Sequence, residues 1–296
     1  MGRIEDALQK IQKSAGRAPA GDGLRPTPNH VGARRLATLL PRDHDYAGKK
    51  VEIDVAELRA QGLLAGDSDE RLLAEQYRSI KRPLLRNADP DQDPPLPRGN
   101  LLMVASALSG EGKTFTCVNL CLSIAREKDW NVVLVDGDCS KPHLTRLFAA
   151  EHELGLIDLL RDPNLSFDDL VMPTNVPGLS ILPAGTRDEH AAELFASNRM
   201  DEVCAGLSQE GAGRLIVFDS SPLLLATESA ALAANVGQIL VVVRANATAR
   251  HAVLAALEKL DPEKAIACVL NQSYSEEHGF GYGDGYSYGY PSSPGE

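Results

Sequence analysis

The chain has 296 residues, 43% of them hydrophobic and 24% charged, with a formal net charge of -11. That length exceeds a disulfide miniprotein, the composition excludes wholesale disorder and a fibrous class, and the acidic balance argues against general nucleic-acid binding. No apolar run approaches the ~20 residues of a membrane helix. With five Cys, no C-x-x-C pair and no apolar leader at the start, the reading is a reducing cytoplasm.

Residues 1–50 hold ten Lys/Arg against five Asp/Glu, a local +5 that leaves -16 for the rest. Such an arm suits anionic lipid or an acidic partner, or is a solvated terminus. Within it, Ile4, Leu8 and Ile11 share one face at helical spacing, which predicts a short amphipathic helix over 1–13. Residues 14–68 lose that period and gather Pro19, Pro26, Pro28 and Pro41, the composition of a flexible linker.

A second helix is predicted over 69–86, with Leu72, Leu73, Tyr77, Ile80 and Leu84 as its apolar stripe and Pro83 expected to kink or end it. Glu75, Arg78 and Lys81 recur every three residues. They form either a decorated surface or, across a subunit boundary, a ring-like contact. Four Pro between 89 and 97 mark a boundary. Beyond it, apolar runs at 101–105, 132–135, 179–182, 215–218, 239–243 and 266–270 alternate with helix-length segments. Near-continuous apolar strands of this kind are covered on both sides, so the fold class is α/β, a mostly parallel sheet with helices on both faces. Residues 223–234 read as a buried Ala-rich helix, and Cys117 and Cys121 as small core residues. The last 18 residues hold six Gly and four Tyr, a predicted disordered tail, and five of the seven Tyr lie at or after 274.

Three motifs carry chemistry. S-A-L-S-G-E-G-K-T at 106–114 sits between a strand and a helix, the context in which a Gly-bearing loop cradles phosphates. Backbone amides around Gly110, Glu111 and Gly112 would surround the phosphates, Lys113 would neutralise their outer oxygens, and the Thr114 hydroxyl would bind Mg²⁺. Ala107 replaces the usual first Gly, a departure that the strand and helix context outweighs. In V-V-L-V-D-G-D-C-S-K-P, Asp136 and Asp138 stand at the carboxyl end of the next strand, able to hold Mg²⁺ or to take a proton, or else to cap a local turn. Asp219 closes R-L-I-V-F-D-S-S-P, the pattern of a Mg²⁺-associated carboxylate in P-loop enzymes.

Together with L-P-A-G, E-L-F-A-S and the Tyr-rich tail, these motifs resemble the bacterial tyrosine autokinases of exopolysaccharide export in their cytoplasmic form, over about residues 69–296. The resemblance implies a P-loop kinase domain over 69–271 using ATP and Mg²⁺, with a phosphoacceptor tail at 272–296. The catalytic set would be Lys113, Asp136, Asp138 and Asp219. The nucleotide would be held by residues 110–115, including Phe115, and by Asn271, and the metal by Thr114, Asp138 and Asp219. Tyr282, Tyr286, Tyr288 and Tyr290 match the phosphoacceptors, modified in trans. Glu75, Arg78 and Lys81 match the oligomerisation row of a homo-oligomeric ring, often octameric, although Arg is more frequent at the last position. A membrane polysaccharide co-polymerase would activate the kinase and recruit it to the inner face of the membrane, and exopolysaccharide synthesis or export would be the regulated process. Ser109, Ser140, Ser221, His190 and Ala191 depart from the common pattern. The alternatives are a partition- or septum-type ATPase, in which a Lys stands where this chain has Leu108, and a weakly catalytic regulatory partner.

Overall fold

The computed structural model describes residue 46 and residues 49–64, 70–209 and 213–273. The segment 1–13 and Tyr282, Tyr286, Tyr288 and Tyr290 lie outside them.

All six predicted apolar runs are strands: β1 (Leu101–Ser106), β2 (Asn131–Gly137), β4 (Leu179–Leu182), β5 (Arg214–Ser220), β6 (Gln238–Arg244) and β7 (Ala265–Asn271). A two-residue strand, β3 (Met172–Pro173), was not expected and pairs antiparallel to β4; the other neighbours are parallel in the order β3-β4-β2-β5-β1-β6-β7. Because side chains alternate across a strand, each apolar run feeds two cores at once. Leu102, Val104, Leu134, Val217 and Leu240 face one helical layer, whereas Leu101, Met103, Val133, Phe218 and Ile239 face the other.

The first layer holds α1 (Val55–Ala60), α2 (Glu70–Ala88), α3 (Lys113–Ile124) and α4 (His143–Leu147). The second holds α5 (Leu156–Arg161), α6 (Phe167–Leu170), α7 (Ala191–Phe195), α8 (Asn198–Gln209), α9 (Thr227–Asn235) and α10 (Arg250–Leu257). Cys117 and Cys121 are fully buried on the inner side of α3, and the Ala-rich run becomes α9.

Two expectations are corrected. The linker reading of 14–68 fails over 49–64, where Val51 bridges to Thr174 and Asp54 caps α1 by accepting the Ala56 amide at 2.8 Å. Leu58 and Leu63 are buried there, each worth roughly 2 kcal/mol relative to exposure. The early prolines masked this capping signal. Pro83 does not end α2, which runs on to Ala88. Pro83 and Ser79, whose carbonyl the missing N–H would have met, both lie on the exposed face, where that carbonyl is open to solvent and the lost bond costs less. Tyr77 and Leu84 are buried on the opposite face, while Leu72, assigned to the same stripe, is 55% exposed.

In this strand order the carboxyl ends of β2, β5 and β1 lie side by side, with Asp136 in register with Asp219. Ligands of open parallel sheets bind beyond such ends.

Candidate active site

The loop after β1 turns through Gly110 and Gly112, with φ of 80° and 93°, into the first turn of α3. Only glycine enters that left-handed region freely, and a Cβ on Gly112 would also lie 2.0 Å from the Asn271 amide nitrogen. The opening amides of a helix have no intrahelical acceptor, so they face the cleft as anion donors. Glu111, predicted to meet the nucleotide, turns its side chain inward: its carboxylate accepts the Leu108 amide at 2.7 Å and the Thr248 hydroxyl. It staples the loop, and only its backbone remains for phosphate. Asn271 donates to the Glu111 carbonyl at 2.9 Å, bracing the loop from the end of β7.

Lys113 is buried at the base of the cleft, and beside it the Thr114 hydroxyl donates to Asp219 Oδ2 at 2.6 Å. Asp219 Oδ1 is buried without an N–H or O–H donor among the described residues, with only the weak Cys117 thiol beside the carboxylate. Burial raises the Asp219 pKa to about 6, against the opposing pull of Lys113 and Thr114. An orphaned carboxylate oxygen next to a hydroxyl and a lysine is an arrangement that a hard divalent cation completes, so Thr114 and Asp219 fit Mg²⁺.

The two aspartates of D-G-D separate. Asp138 lines a cleft of about 670 Å³ together with Gly110, Lys113, Thr114, Phe115 and Asn271. Its Oδ1 accepts the Ser221 hydroxyl at 2.7 Å and the Lys141 amide at 3.0 Å. Asp136 is enclosed beneath, its Oδ2 taken by the amide and hydroxyl of Thr145 at 2.8 and 2.7 Å, and it is absent from the cleft wall. Burial, partly offset by those bonds, raises its pKa to about 7. Asp136 therefore makes the turn-forming contacts at the strand end, while Asp138 lines the cleft.

Of the remaining predicted residues, Glu75 and Arg78 are exposed on α2. Lys81 is 5% exposed, donating to the Ser123 carbonyl at 2.6 Å and pairing with Glu127 at 2.7 Å. The row does not present three equivalent charges. Residues the sequence reading missed also line the cleft: Gly62 and Leu63 from the supposed linker, and Lys141, His143 and Arg146 after the D-G-D turn. The K-P-H string beside that turn was a usable signal; nothing in the sequence pointed to Leu63.

Comparison with known proteins agrees with this geometry. The CobQ/CobB/MinD/ParA nucleotide binding domain matches residues 102–279, more than half of the chain. EpsB of Ralstonia nicotianae, a protein assigned by inference to the tyrosine-protein kinases, is 30% identical over 278 residues, covering 90% of this chain and 35% of its own. The tyrosine-protein kinase YwqD of Bacillus subtilis is 27% identical over 229 residues, covering 75% of this chain and 91% of its own. The solved VpsO kinase domain superposes with a TM-score of 0.55 at 27% identity, over 69% of this chain and 97% of that one. The chain thus spans about a third of the Ralstonia relative and nearly all of the Bacillus one. No helix among the described residues is long and apolar enough to cross a membrane. By the matched domain and these relatives, the chain belongs to the CobQ/CobB/MinD/ParA nucleotide-binding family and groups there with the bacterial tyrosine kinases.

Proposed function

We propose that this chain is an ATP-dependent protein-tyrosine kinase that phosphorylates Tyr282, Tyr286, Tyr288 and Tyr290 in a neighbouring copy. The observation that carries the reading is the buried Asp219 carboxylate, one oxygen bonded by Thr114 and the other without an N–H or O–H donor among the described residues, next to a cleft that Lys113, Thr114 and Asp138 line. Phosphoryl transfer asks little covalent chemistry of a protein; alignment and charge neutralisation supply most of it.

Loop amides 110–114 and Lys113 hold the β- and γ-phosphates of ATP. Thr114, Asp219 and Asp138 would hold magnesium, which when bound would neutralise charge on those oxygens. The acceptor phenol attacks the γ-phosphorus, the bond to the β–γ bridging oxygen breaks, ADP leaves, and the phenolic proton passes to Asp138. At a phenol pKa near 10 a base at that position is useful, and Asp138 is the D-G-D carboxylate that lines the cleft. Asp136 supports the turn rather than the transfer.

In this reading the chain assembles as a ring of copies, responds to a membrane polysaccharide co-polymerase that brings it to the inner membrane face, and regulates exopolysaccharide synthesis or export. The names of the relatives and the Tyr-rich tail support it. Incubation with Mg²⁺ and ATP, with and without an activator segment, is expected to add phosphate within 274–296, read by mass spectrometry. Lys113→Met should abolish that labelling while leaving the circular dichroism spectrum unchanged. Unmodified tyrosines under both conditions would reject the kinase reading, and undiminished labelling in the variant would move the nucleotide site elsewhere.

A further inference from the structure

Two of the serines that depart from the common pattern, Ser140 and Ser221, stand 81 positions apart in sequence and meet at one carboxylate. Glu228, in the first turn of α9, is 8% exposed. Its Oε1 accepts the Ser140 hydroxyl at 2.7 Å and lies 3.3 Å from the Ser221 hydroxyl. Ser140 stands two residues after Asp138, and Ser221 two residues after Asp219. One buried acid therefore lies against the turn behind Asp138, which lines the cleft, and the turn behind Asp219, which is buried beside Thr114.

The proton inventory gives the contacts a direction. Ser221 has one hydroxyl proton and two carboxylates within reach, Asp138 Oδ1 at 2.7 Å and Glu228 Oε1 at 3.3 Å. The shorter contact takes the proton, so Ser221 donates to Asp138. Glu228 Oε1 is meanwhile engaged by the proton of Ser140, so it does not draw Ser221 away. The backbone on the α9 side is tied as well: Ser229 donates to the Ser221 carbonyl at 2.6 Å. With Glu228 removed, Ser140 loses its acceptor and the two turns keep only the Ser221–Asp138 bond between them.

We infer that Glu228 is a positioning residue: by accepting from Ser140 while its neighbour Ser229 holds the Ser221 carbonyl, it ties the turns after Asp138 and Asp219 and fixes their separation, and with it the geometry offered to the divalent cation of the nucleotide. The inference rests on the nucleotide and magnesium reading of the cleft. Groups that orient metal ligands without touching the metal commonly change metal affinity tenfold or more when lost.

The test titrates Mg²⁺ into full-length protein holding a fluorescent ADP analogue and reads the concentration that gives half the magnesium-dependent signal. Glu228→Ala is expected to raise that concentration about tenfold while the analogue's affinity in EDTA is unchanged. Glu228→Gln keeps an oxygen to accept from the Ser140 hydroxyl and should return within about threefold of wild type. An unshifted Glu228→Ala titration overturns the inference, and so does a Gln variant as impaired as Ala, since charge rather than placement would then be responsible. Should Glu228→Ala not fold, Ser140→Ala removes one hydroxyl and leaves the acid in place. A shift of about threefold supports positioning and no shift overturns it. Wild-type protein that binds no analogue would sink the nucleotide reading itself, a result distinct from normal wild-type binding with unshifted variants.

Discussion

Burial and charge are at odds at Asp219, the carboxylate bonded to Thr114. A carboxyl that ordinarily titrates at 3.8 is raised to about 6, first by burial. The folded state thus holds the proton more tightly than the unfolded chain. In metal-free protein this group costs stability progressively as pH rises from about 4 to 6, and the cost persists above that. Asp219→Asn removes the charge and leaves an oxygen for Thr114. At pH 8 the metal-free variant should be more stable than wild type by about 3 kcal/mol, the equivalent of a shift of about two units, with the advantage shrinking at pH 5. Urea unfolding at the two pH values checks this, and an equal advantage at both would show that charge is not the cause. The same variant should lose tail labelling, since the oxygen facing the cation becomes an amide.

At the scale of an element, α2 separates what spacing alone joins. Glu75, Arg78 and Lys81 look equivalent at three-residue intervals, but 100° per residue carries Lys81 round to the buried side, where it binds the Ser123 carbonyl and Glu127 at the end of α3. Lys81→Ala should destabilise the monomer by about 2 kcal/mol, because it leaves a part-buried carbonyl without its donor. Glu75→Ala and Arg78→Ala should leave thermal unfolding within about a degree, as surface substitutions do, and change the oligomer mass if the row is an interface. Thermal melts paired with native mass spectrometry separate these effects. Equal destabilisation by all three would show that exposure on α2 does not discriminate them. The phosphate-loop element behaves differently. Its residues are contiguous, so G-E-G-K-T and the strand before it revealed the turn, Lys113 and Thr114 directly. That Glu111 folds inward to Leu108 and Thr248 was hidden, because the second of these partners lies on a distant segment.

For the whole molecule, phosphorylation of several tail tyrosines would add about -1.5 to -2 charges each to a chain already at -11. If copies assemble through their kinase domains, the expected outcome is a smaller complex after exhaustive phosphorylation, measured by native mass spectrometry at low salt. An unchanged mass would count against charge-driven release. The sequence by itself determined the α/β class, the six main strands, the phosphate loop and Asp219, since each is written in a contiguous run whose period or spacing is set by local backbone geometry. Only the tertiary structure decided that 49–64 joins a core, that Asp138 enters the cleft while Asp136 lies under it, and that Glu228 links Ser140 to Ser221. These outcomes depend on strand order and on which turns that order brings together, and contacts between distant segments leave no periodic trace in the segments themselves.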